Sequence, residues 1–100
     1  MTELALSPRA ACLAAHVPRP RPGHVSLQWA PPRAPWERVR VRDYTCTCQL
    51  VSYELCQTGG LFFIRRTRRD DGGILIDECP RFSPAGITAM WMRLLQGRAT

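Results

Sequence analysis

Lysine and asparagine are absent from this 100-residue chain, and histidine occurs only twice. All 14 basic residues are therefore arginine, and each is a planar fork that can hold phosphate or carboxylate through two hydrogen bonds. A GC-rich gene accounts for the bias, because Lys and Asn codons are AT-rich. Long apolar runs are missing too. The N-terminal apolar patch is broken by Pro8 and Arg9, far short of the roughly 20 residues a membrane span needs. The same break removes the continuous apolar core of a signal peptide, and Arg9 stands where a lipoprotein signal before Cys12 would carry an aliphatic residue. A cytoplasmic protein without a membrane partner is expected.

Catalytic constellations are equally scarce. His16 and His24 lie in a proline-rich stretch, with no rigid element to hold them against a nucleophile. Asp70 and Asp71 belong to a turn, where solvation explains them. Asp77 and Glu78 are adjacent on a strand, so they point to opposite faces and cannot act as an acid–base pair. Gly59-Gly60 and Gly72-Gly73 lack the spacing and following helix of a phosphate loop. Neither an enzyme nor a cofactor is expected.

Seven of the nine prolines fall in the first 37 residues, where they block helix and central strand alike. Residues 1–37 are read as a disordered Pro/Arg-rich leader, and 38–100 as the folded domain. A domain of about 60 residues has a marginal core, so a partner or self-association into a homo-oligomer would add stability.

Within 38–100 the pattern is that of an α+β domain, a three- to four-stranded antiparallel meander packed against one C-terminal helix. Arg38-Val39-Arg40-Val41-Arg42 alternates as a first strand should. Val51, Tyr53 and Leu55 alternate with Ser52 and Glu54, although a short helix over 49–57 suits Leu50, Val51, Glu54 and Leu55 nearly as well. Leu61-Phe62-Phe63-Ile64 opens the next strand, Asp71-Gly72 supplies hairpin-turn chemistry, and Ile74-Leu75-Ile76 returns. Ser83 is a helix N-cap with Pro84 at the first helical position. Ile87, Met90, Trp91, Leu94 and Leu95 then form one apolar stripe that covers the sheet, and Gly97 ends it.

The five cysteines are odd in number, which argues against a disulfide framework. Cys46, Cys48, Cys56 and Cys79 are the thiols of the folded part that could share a metal. Their spacings lack the paired Cys-x2-Cys knuckles of a zinc ribbon, so they read as buried or incidental thiols.

Charge is the one feature with functional content. Arg38, Arg40 and Arg42 alternate on the first strand, and Arg65, Arg66 and Arg68 follow on the third. With a helix on one side of the sheet, these six are the candidates to line the other as a surface for nucleic acid. Alternation cannot put both Arg65 and Arg68 on one face without a bulge, so one of them is expected at the turn or the sheet edge. Phe62-Phe63-Ile64-Arg65-Arg66, the Asp71-Gly72 turn, and Phe82 leading into the helix with Trp91 resemble the arm-binding domains of tyrosine recombinases and the plant AP2 domain. That resemblance covers residues 61–96 and implies a sheet laid in a DNA major groove. The same segments resemble small uncharacterised actinobacterial proteins, which implies no function. Over 38–100 ten arginines face six acidic residues, a modest excess for phosphate binding. A non-enzymatic interaction or regulatory module for a protein partner is the leading expectation, with nucleic-acid binding the alternative.

Overall fold

A computed structural model describes residues 12, 14–33 and 37–100. Four strands form an antiparallel meander in the order β1 (Arg40–Tyr44), β2 (Val51–Thr58), β3 (Leu61–Asp70), β4 (Gly73–Glu78), followed by one helix, α1 (Pro84–Leu95). The expected α+β architecture is what the chain adopts. Residues 51–58 form a strand, not the competing helix. Gly59-Gly60 closes them onto β3, with Gly59 at φ +60°, the position at which a two-residue hairpin turn accepts glycine. In the β3–β4 turn the positive φ falls on Gly73, at +123°, one residue beyond the Asp71-Gly72 pair. Asp70 stabilises that turn by accepting the Gly72 N–H at 2.8 Å.

The helix begins and ends on its sequence signals. The Ser83 hydroxyl accepts the Gly86 N–H. At the other end Gly97 donates to the Leu94 carbonyl and Arg98 to the Arg93 carbonyl, 3.1 and 2.8 Å, the paired bonds of a Schellman motif. Gly97 sits at φ +74°, and a Cβ there would come within 2.7 Å of the Arg19 carbonyl oxygen. Ile87, Trp91 and Leu94 are buried against the sheet, and the Trp91 indole N–H reaches Asp43 Oδ2 at 3.1 Å. Phe63 and Ile64 are neighbours on β3 and so face opposite ways, yet both are 0 % exposed. Helix and N-terminal segment cover the Ile64 side, while the Arg81 guanidinium stacks 3.9 Å from the Phe63 ring centre on the other.

The expected leader is corrected here. Residues 14–33 run across the domain as a strap that is extended on either side of a turn at Pro22-Gly23: Arg21, Val25 and Leu27 donate to the carbonyls of Gly97, Arg98 and Thr100 at 2.7–2.9 Å, and Ala30 and Glu78 exchange two bonds of 2.9 and 2.8 Å. Proline excludes helix but favours the extended backbone that such pairing needs. Leu27 belongs to the core, and the Trp29 ring lies 6.1 Å from that of Tyr53. The rest of the expected leader (1–11, 13 and 34–36) lies outside the described residues.

Candidate functional site

The six candidate arginines do not share one face. Strand alternation puts Arg65 on one side of β3 and Arg66 and Arg68 on the other, with no bulge to bring them together. Each then meets a carboxylate that the register places beside it: Arg65 bonds Glu54 at 3.1 Å, and Arg66 and Arg68 converge on Asp77 at 2.8 and 2.9 Å. The Arg66 guanidinium also stacks on Trp29 at 4.3 Å, on the face that carries strap and helix. The hydrogen bond from Arg66 holds the Asp77 carboxyl below its ordinary pKa. Arg38, Arg40 and Arg42 are exposed at the β1 edge. The register skips Arg42, since Val41 pairs with Cys56 and Asp43 with Leu55, and this bulge breaks the expected row of guanidiniums.

Sequence reasoning missed the opposite edge. On β4, Ile74, Leu75 and Ile76 are 67, 53 and 39 % exposed, an uncharged aliphatic run on the last strand of the sheet. Glu78 turns its N–H and C=O outward to Ala30, while Cys79 donates inward to Ile64. By the same parity Ile76 and Ile74 aim their backbone groups outward, away from β3. The signal was present as three consecutive aliphatic residues after a tight turn, but sequence alone does not tell an edge from a centre.

The thiols divide into two sets. Cys56 and Cys79, 0 and 2 % exposed, lie in the core; burial pushes the Cys56 thiol up to about 11 and the Cys79 thiol upward as well. They are the buried thiols that sequence expected, and they take no part in the cluster that Cys46 and Cys48 join, so the four cysteines weighed as candidate metal ligands are not brought together. Cys46 and Cys48, on the β1–β2 connection, meet Cys12 and the strap's His16, with all four ligand atoms within 4.8 Å of one another. Cys12 Sγ lies 3.5 Å from Cys48 Sγ, and Cys48 Sγ lies 3.2 Å from His16 Nε2. The arms are fixed by backbone: Cys46 donates to the Ala15 carbonyl at 2.8 Å, and the Gln49 amide both accepts from and donates to Val17, at 2.9 and 3.0 Å. Arg69 donates to the carbonyls of Thr47 and Gln49 on either side of Cys48. The Cys48 backbone amide, with the neighbouring thiols, lowers the Cys46 thiol to about 6, whereas hydrogen bonding with Cys46 raises Cys12 to about 12. A Cys-x3-His pair was legible at 12–16, but it lay in a stretch read as structureless.

Arg21, His24, Arg93 and Arg98 line one surface hollow of about 440 Å³ at the end of α1, with no carboxylate among the lining residues. Among the described residues no helix is long and apolar enough to cross a membrane. No protein-family model, curated protein or solved structure matches the chain.

Proposed function

We propose that the chain is a non-enzymatic docking module whose β4 edge takes an extended segment of a protein partner as a fifth strand. The carrying observation is the exposed Ile74-Leu75-Ile76 run on an edge whose outward backbone groups continue the row that Glu78 already spends on Ala30. A strand added there gains main-chain hydrogen bonds, with side-chain specificity from alternate positions. On this edge the partner would place apolar side chains against Ile74 and Ile76 on one face and Leu75 on the other. With a net charge of +6 on the chain, acidic residues flanking that apolar segment fit best.

Display selection of extended peptides against the protein and against Ile76→Pro tests this reading. Proline removes the outward N–H and leaves the β3 ladder intact, a substitution that edge strands tolerate. Apolar peptides with acidic flanks should bind the native protein and lose affinity at least tenfold with Ile76→Pro. Selected peptides that bind both proteins equally would refute the reading. So would concentration-dependent dimerisation abolished by Ile76→Pro, since the occupant would then be a second copy.

A phosphate-binding reading draws support from the basic hollow at the end of α1 rather than from the sheet. Retention of duplex DNA at about 50 mM salt, lost with Arg93→Glu and Arg98→Glu together but kept with Arg40→Glu and Arg42→Glu, would favour it, because phosphate contacts are steeply salt-dependent.

A further inference from the structure

We propose that Cys12, His16, Cys46 and Cys48 form a zinc site that fastens the strap to the β1–β2 connection. The donor set is three sulfurs and one imidazole, the combination that tetrahedral zinc takes in structural sites. Sulfurs bound at about 2.3 Å lie about 3.8 Å apart around a tetrahedral ion, and a sulfur and an imidazole nitrogen about 3.5 Å apart. The separations here, 3.5 Å for Cys12–Cys48 and 3.2 Å for Cys48–His16, need widening by only a few tenths of an ångström. No such proximity follows from chain connectivity, because 32 residues separate His16 from Cys48. The Ala15–Thr45 bridge sets the two arms in register, and Gln49 and Arg69 lock the loop that carries Cys48.

All four positions are filled by the protein, so the site is closed, as structural sites are, with no place for a reacting water. Its effect is to cross-link residues 12–16 to 46–48 in a chain with a small core. Each thiol still protonated gives its proton to solvent as the metal binds. The inference does not depend on the docking reading, since the cluster and β4 involve different residues.

The test is titration of the reduced full-length protein with Co²⁺, followed by displacement with Zn²⁺. One cobalt per chain should give tetrahedral d–d bands and a sulfur-to-cobalt charge-transfer band, and one equivalent of zinc should remove both. Cys12→Ser and Cys48→Ser should each weaken the metal more than about 100-fold, beyond what losing an outer hydrogen-bond partner costs. His16→Cys should keep the metal and strengthen the charge-transfer band, which a merely structural histidine would not do. Cys56→Ala, a core substitution, should leave the spectrum unchanged. Tryptophan fluorescence checks that each variant is folded. The site is overturned if reduced native protein gives no thiolate–cobalt spectrum, or if that spectrum survives Cys12→Ser and Cys48→Ser. A Cys12–Cys48 disulfide in protein prepared under reductant would overturn it too.

Discussion

The two edges of the sheet meet solvent in opposite ways. β1 is short, interrupted by a bulge at Arg42, opened by Arg40 and preceded by Arg38, devices that discourage a further strand from adding. β4 has no charge from Gly73 to Ile76, no bulge in its pairing with β3, and three exposed aliphatic residues. One end of the same meander is thus guarded and the other left open. An unguarded edge is an aggregation liability unless something covers it, and this asymmetry is why the docking reading falls on β4.

The largest expected effect strikes the anchor of the guarded edge. Trp91 fills the space beneath the sheet and holds Asp43 of β1 through its indole N–H, so Trp91→Ala should cost about 3–5 kcal/mol by denaturant unfolding. The amides of β1 should lose exchange protection ahead of those of β4; equal loss at both edges would mean that Trp91 stabilises the core without favouring β1.

Asp77 is the corresponding anchor on β4, where its carboxylate accepts hydrogen bonds from two arginines. Asp77→Asn should cost about 1–3 kcal/mol, because Arg66 keeps its burial and loses its anion. Because the folded pKa is depressed, the bridge contributes fully above the ordinary carboxylate value near 4 and is lost as pH falls through the lower folded value. Acid titration of stability should therefore show a limb below about pH 4 that is reduced in the Asn variant.

Exchanging the character of the edges sharpens the contrast with little change in stability. Ile74→Arg with Ile76→Arg should shift unfolding by no more than about 0.5 kcal/mol, yet abolish capture of extended peptides. Arg40→Val with Arg42→Val should do the reverse at β1, raising light scattering of concentrated protein. If scattering stays flat, the bulge alone guards that edge. The smallest effect is expected from Arg38→Ala, a shift in the salt slope of non-specific DNA retention by about one phosphate contact at most.

The parts legible in sequence were those written locally. Ser83-Pro84, the stripe from Ile87 to Leu95, and the glycine turns each act within a few residues of themselves, and each appears where expected. What escaped was written across the chain. Glu54 and Asp77 pair with Arg65, Arg66 and Arg68 only once strand register brings them alongside. The bulge at Arg42 depends on how β1 meets β2, for which Arg-Val alternation holds no signal. Prolines rightly excluded helix from the strap, but extended backbone bonds to residues some seventy positions away, beyond any periodicity. Cys12 and His16 were overlooked for the same reason, and Cys56 and Cys79 were grouped with Cys46 and Cys48 because spacing does not distinguish a core thiol from a clustered one.

The pairing of the strap with residues 97–100 also orders events in time. During synthesis Arg21, Val25 and Leu27 leave the ribosome early, while Gly97, Arg98 and Thr100, whose carbonyls they need, come more than seventy residues later. Hairpins β2–β3 and β3–β4 can form from neighbouring residues as they emerge, but the strap has to wait and close the longest loops among the described residues, which slows folding. In refolding followed by pulsed hydrogen exchange, those three amides should gain protection after the hairpins, so that a segment made before the sheet locks after it.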